Sequence, residues 1–279
     1  MWRVLAVGLA GAALSLLAGC GGGGGTPTVL TGNYFPHAVG AAWTYTMNTA
    51  VESDLADFHG TGTIQRRVLR QEDLVVDGAS VPCYVIGSTY TVNATPTAAD
   101  GVPPDLLPFV QLMFSATAGG LRPVEAYYRS VPPAAGSTSR RETLVALRYA
   151  GGPRLDLPAP RLHFSNPPLV GNASTGGAPL LAHPLAPPLD CVSDARAFDK
   201  LRQYGYLDGP LGNRYCAIYI DRFEGWLHAG GQRCAYNGRA QTYFQQGVGM
   251  IWCEWAVTLS NGAHWARVAF VTANPTYAP

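Results

Sequence analysis

The chain contains residue types that do chemistry, but no familiar spacing organises them. It has no G-x-S-x-G elbow to aim a serine and no H-E-x-x-H to hold zinc beside a base. It also lacks a phosphate-cradling G-x-x-x-x-G-K-[ST] loop, and outside the glycine run around Cys20 it has no G-x-G-x-x-G fingerprint. Gly247-Val248-Gly249 carries a fragment of the last, yet nothing after it reads as the helix that would present its N-terminus to a pyrophosphate. A turn or bulge opening a strand accounts for it better. Six histidines, His37, His59, His163, His183, His228 and His264, are scattered among aromatic and proline neighbours. That is the setting of packed or surface imidazoles more often than of catalytic ones. Asp54 with Asp57, and Asp190 with Asp194, have the spacing of an acid–base pair, a spacing equally common on solvated segments. No catalytic residue and no cofactor is assigned, and a Ser/His/Asp set could be assembled only in space.

The cysteines divide into one and five. Met1-Trp2-Arg3 precedes an apolar run from Val4 to Ala18, broken only by glycines and Ser15. One positive charge and an apolar stretch shorter than the roughly 20 residues of a membrane span fit a secretory signal peptide. Leu17-Ala18-Gly19-Cys20 resembles the lipobox of bacterial lipoprotein precursors. That resemblance implies cleavage after Gly19 and lipidation of Cys20, whose palmitate-type acyl chains would hold the protein to a membrane. Gly21 stands where Asp commonly signals inner-membrane retention, which favours the outer membrane and a periplasm-facing location. Gly21 to Gly25 read as a flexible tether. The expected organisation is a leader over 1–19, a lipidated and glycine-rich tether over 20–30, and a single β-rich domain over 31–279. Cys83, Cys191, Cys216, Cys234 and Cys253 remain, an odd set in an oxidising compartment where disulfides are expected. Cys216 with Cys234 is the preferred pair, on neighbouring strands. With no C-x-x-C and no paired histidines, no metal site is assigned.

Composition narrows the partners. A net charge of +1 with no basic stripe argues against nucleic acid. Lys200 is the only lysine among 19 basic residues, which points to a GC-rich genome rather than to a binding role. Hydrophobic content of 47% suffices for a core, while charged content of 13% is low against the usual quarter or so. Fourteen tyrosines and six tryptophans either fill a β core or line a concave face that takes an acyl chain or another apolar ligand.

These residues must be positioned mainly by strands. Residues 250–271 carry the clearest pattern, two alternating runs around Asn261-Gly262, a dipeptide suited to a two-residue type I′ hairpin. With that turn, Leu259 faces His264, Val257 faces Ala266, Trp255 faces Val268 and Cys253 faces Phe270. Ile251 joins these apolar positions on one face; Glu254, Thr258, Trp265 and Arg267 take the other, with Glu254 and Arg267 able to pair. Asn237-Gly238 and Asp77-Gly78 predict two further hairpins, with Pro82 pushing its strand toward a sheet edge. Residues 215–220 and 143–149 have strand composition. Alternation of Val110, Leu112, Phe114 and Ala116 favours strand, turn, strand over a buried helix. Residues 193–205 predict the one helix, capped by Ser193 or Asp194, striped by Phe198, Leu201 and Tyr204, and stopped at Gly205. The proline-rich stretch 151–190 reads as an extended loop across the sheet or as a link between two β halves.

Tyr34-Phe35-Pro36, Gly40, Trp43 and Tyr45 form a Y-F-P-x-x-x-G-x-x-W-x-Y stretch. It resembles the opening of many uncharacterised bacterial secreted proteins and lipoproteins. Gly247-Val248-Gly249 is similar to their late A-P-G-V-G segment, with Gln245-Gln246 in place of Ala-Pro, and residues 166–171 resemble their Pro-Pro-Leu block. The resemblance implies a β-rich envelope protein and brings no catalytic residues. The expected fold is a mainly antiparallel, strongly curved sheet, half-barrel-like, with one short helix. The expected role is non-enzymatic, binding an apolar small molecule or an envelope protein. The alternative is an envelope hydrolase whose site converges in space.

Overall fold

The computed structural model describes residues 32–53, 57–76, 78–117, 124–132, 135, 140–148, 150–166, 171–173, 178–179, 196–207, 214–229 and 231–279. The leader, Cys20, the tether and Cys191 lie outside them. Strand β1 (Ala42–Ser53) shows why the chain extends here: Trp43, Tyr45, Met47, Thr49 and Val51 alternate inward between exposed or half-buried neighbours. The first half continues with β2 (Asp57–Val76), β3 (Ala79–Val92), β4 (Glu125–Val131), β5 (Arg140–Arg148) and β6 (Arg154–Asn166). The second comprises β7 (Gly171–Ala173), β8 (Ala178–Pro179), β9 (Arg196–Leu207), β10 (Arg214–Ala229), β11 (Gln232–Gln245), β12 (Gly249–Ser260) and β13 (Trp265–Ala278). All the pairings are antiparallel, in the order β6-β5-β4-β3-β2-β1-β13-β12-β11-β10-β9-β7, with β8 also on β9. Two meanders therefore meet where β1 pairs with β13.

The sheet curls without closing, and helix α1 (Leu107–Thr117) lies inside the curl. It touches β3, β13 and β10, strands far apart in the sheet order. Phe109, Val110, Leu112, Met113 and Phe114 are all buried, and Phe114 packs against Phe58 and Phe270 with ring centroids 5.7 and 5.2 Å away. The curved antiparallel sheet with a short helix is the architecture expected from sequence. The helix, however, is not where the sequence placed it. Its buried side chains spread over too much of the helix surface to show as a narrow one-sided stripe, although Pro108 stays exposed. Residues 196–205, within the predicted helix, run instead along β10 as β9; a narrow apolar stripe gave a helix there little to bury.

Turn chemistry was read with mixed success. Asp77-Gly78 does separate paired strands, Val76 opposite Ala79, with Gly78 at φ +77°. The strand carrying Pro82 is interior, but β4 pairs only with Tyr84–Gly87, leaving Pro82 beyond the doubly paired stretch. Asn237-Gly238 lies within β11, opposite Glu224 and Phe223. The chain turns earlier, between Ala229 and Gln232, where Gly231 takes φ +77°. At Asn261-Gly262 the hairpin forms with a longer loop: Ser260 pairs with Trp265, Val257 with Val268 and Trp255 with Phe270. Asn261 Oδ1 accepts from the amides of Ala263 and His264, fastening that loop. The register slips by two residues, so each residue keeps its predicted face. Within 151–190 the chain forms β6 rather than a continuous loop. Pro158 and Pro160 fit because β6 is the sheet edge and its register shifts between Asp156 and Arg161.

Candidate functional site

The two sequence blocks of the Y-F-P…G-V-G pattern form one unit. Trp43 Nε1 donates to the Val248 carbonyl at 2.6 Å and the Tyr45 hydroxyl to the Met250 carbonyl at 3.0 Å. The Gly247 amide donates to Asn33 at 2.7 Å. Gly249 adopts φ +96° beside Pro36 and the Trp43 indole. The turn into β12 is thereby fixed against β1 and the segment leading into it.

Beside this junction lies a cavity of about 140 Å³, walled by Phe35, Trp43, Tyr45, Tyr90, Tyr128 and Phe244, among others. Into it projects Arg66. Trp43 and Ser88 are its neighbours on β1 and β3, and Ile64 and Val68, two residues either side, are buried core positions. Arg66 is half-buried, its Nε is sealed from solvent without a hydrogen-bond partner, and its Nη1 lies 3.7 Å from Met250 Sδ. It is hydrogen-bonded to Tyr90. Among the described residues no carboxylate pairs with it. Desolvation opposes its charge, but the surrounding Tyr90, Tyr45 and Tyr128 outweigh this and hold the guanidinium protonated. Burial raises the Tyr45 phenol and pushes the Tyr128 phenol up to about 12, so both stay neutral near pH 7.

His37 and Glu142 form a second buried cluster. Nε2 of His37 lies 3.1 Å from Glu142 Oε1, off the line of a good hydrogen bond, and the imidazole stacks on Tyr84 at 4.5 Å. Ser130 Oγ lies 3.3 Å from the same carboxylate oxygen. The carboxylate thus stands between serine and histidine. A nucleophilic triad needs the histidine in that place.

Glu125, on the opposite face, takes Arg148 at 2.7 Å, the Tyr127 hydroxyl at 2.6 Å and Arg70 at 3.3 Å. Hydrogen bonds from Arg148, then Arg70 and Tyr127, hold its carboxyl down to about 2 against the opposing effect of burial. Glu254 does pair with Arg267, at 2.9 Å, and Glu52 joins them at 3.3 Å. His59 and Asp57 are exposed. Asp54, Asp190, Asp194 and His183, and the side chains of His163 and His228, lie outside the described residues. Cys83, Cys216, Cys234 and Cys253 are free thiols. The preferred Cys216–Cys234 bridge is not formed: their strands are neighbours, but Cys234 faces Leu227 and Cys216 faces Gly205.

Arg66 went unrecognised in the sequence. The signal was Ile64-x-Arg66-x-Val68, an arginine on the inward beat of an alternating strand. Its neighbour Arg67, on the other beat, is exposed.

No protein-family model matches the chain, and no curated protein matches it. Two solved structures are similar. A candidate exported protein with a YmcC-like fold from Bacteroides fragilis is 11% identical, over 88% of this chain and 100% of that one, with a TM-score of 0.38. A candidate lipoprotein from Parabacteroides distasonis is 9% identical, over 88% of this chain and 99% of that one, with a TM-score of 0.37. Both likenesses are distant, and no residue role is taken from either.

Proposed function

We propose that this protein is a cell-envelope lipoprotein, held to the outer membrane by acyl chains on Cys20, whose β domain binds a small apolar ligand without catalysing a reaction. The observation that carries the binding reading is the cavity of about 140 Å³ with aromatic walls, left open beside a helix-filled core. Close-packed interiors rarely leave such space, and an apolar cavity near 150 Å³ is large enough for benzene. A full-length acyl chain is too long for it. The non-enzymatic reading is supported by the order of Ser130, Glu142 and His37, which puts the carboxylate rather than the histidine beside the serine and so departs from a Ser–His–acid triad.

Binding is tested with benzyl alcohol and the full chain by ligand-observed magnetic resonance. Saturable binding is expected, together with its loss in Ala126→Leu, which fills the cavity, at unchanged circular dichroism. Binding that survives the filled cavity overturns this site. Anchoring is tested separately: Cys20→Ser is expected to move the protein from the membrane to the soluble fraction, and unchanged membrane association refutes lipidation.

A further inference from the structure

The cavity holds a cation that no carboxylate among the described residues neutralises. Arg66 occupies an inward-facing position between Ile64 and Val68, where the alternation of β2 otherwise places core residues. Burying a charge is costly unless it is paired, and Arg66 has a thioether, a phenol and a sealed, unpartnered Nε in place of a counter-ion. Elsewhere this protein pairs its arginines freely: Arg70 and Arg148 share Glu125, and Arg267 takes Glu52 and Glu254. At this aromatic-walled cavity that pairing is missing among the described residues.

We propose that the ligand of this cavity is a monocarboxylate with a body about the size of one aromatic ring, and that Arg66 binds its carboxylate. This rests on the cavity being a binding site at all. The planar guanidinium matches a carboxylate with two parallel hydrogen bonds, which lysine cannot do. One cation among apolar walls balances one negative charge, so a phosphate monoester would bring a second, unneutralised charge. The body meets Phe35, Trp43, Tyr128 and Phe244, all within reach of an aromatic or short alkyl group. The volume of about 140 Å³ sets the upper size. Because the charge is unpaired in the free protein, ligand binding supplies the missing partner, and the acid is favoured over a neutral compound of the same shape.

The test titrates the full chain with benzoate, benzamide and benzyl alcohol by calorimetry, alongside Arg66→Met and Arg66→Lys. Benzoate is expected to bind roughly ten- to a hundredfold more tightly than the neutral pair. Arg66→Met is expected to lose that preference while still binding benzyl alcohol, and Arg66→Lys to retain part of it. Its melting midpoint is a second readout: a site residue left unpaired in the free protein predicts that Arg66→Met melts no lower than the native chain, whereas a structural arginine predicts a clear drop. Equal affinity of the native chain for acid and alcohol overturns the carboxylate and leaves an apolar site. Absence of binding by all three overturns the cavity as a site. Should Arg66→Met fail to fold, the arginine is structural and its assignment here is wrong.

Discussion

The indole nitrogen of Trp43 donates to the carbonyl of Val248 at 2.6 Å, across 205 residues of chain. This bond joins the first strand to the turn that opens β12, and the same indole walls the cavity. Trp43→Phe removes the donor and leaves that part-buried carbonyl short of a partner, a loss of about 1–3 kcal/mol. Urea unfolding is expected to show a lower midpoint at an unchanged slope. An unaltered midpoint means the bond contributes nothing net.

Two glycines separate close packing from backbone conformation. At Gly62 a Cβ would run into the Thr91 carbonyl and the Met47 side chain, although its φ is ordinary. At Gly262 the φ is +96° but the space is open. Gly62→Ala should therefore cost more, about 2–3 kcal/mol from overpacking, against about 1 kcal/mol for Gly262→Ala. Equilibrium unfolding of both variants checks the order, and the reverse order refutes the β2–β3 contact.

Glu125 gives the fold an acid-sensitive point. Its carboxyl lies near the ordinary 4.5 when unfolded and is held down to about 2 when folded, chiefly by Arg148. A depressed folded value means stability that is present above about 4.5 and is lost as pH falls toward 2. Glu125→Gln should lower stability at pH 7 by on the order of 1–2 kcal/mol, modest because both arginines are partly exposed. Between pH 4.5 and 2 the variant should lose less stability than the native chain. Parallel curves for the two proteins would contradict this.

The thiols should be hidden rather than bridged. Burial pushes Cys83 and Cys216 up to about 11, and raises Cys234 as well. A thiol reagent at pH 8 is expected to label these three slowly in the folded protein and promptly in urea, with half-buried Cys253 reacting first. Non-reducing mass mapping that joins any two of the four refutes the free-thiol state.

Local alternation proved readable; what encloses a segment did not. Val257, Leu259, Val268 and Phe270 fell on the inner face as expected because a two-residue slip preserves the side of every side chain. Residues 107–117 and 196–205 exchanged structures between expectation and observation. A helix that buries most of its surface shows little polar face, and a strand's partner lies elsewhere in the chain. Asn237-Gly238 failed as a turn because the chain had already reversed upstream, between Ala229 and Gln232. The cavity was half legible: its aromatic wall showed in the Tyr and Trp content, while Arg66 needed the strand's phase to reveal it. In the cluster of His37, Ser130 and Glu142, the last two face each other on the paired strands β4 and β5 while His37 comes from far upstream, and no local spacing signals that meeting.

The meeting of two meanders at β1 and β13 also shapes how the chain reaches its native state. Within each half most successive strands are neighbours and can zip together over connections shorter than the seam, the longest described one being that from β3 to β4, which carries α1. The seam between the halves requires the ends of the domain to find each other, a closure whose entropic cost is that of the longest loop in the molecule. A chain delivered from its N-terminus can assemble β1 to β6 early, but leaves one side of β1 unpaired until β13 arrives. The cavity takes Arg66 and Tyr128 from the first half and Phe244 and Met250 from the second, so its wall is completed only in the last act of folding. Joining the present ends and opening the chain between the meanders would turn the same sheet into a single sequential ribbon, folding faster for want of any seam.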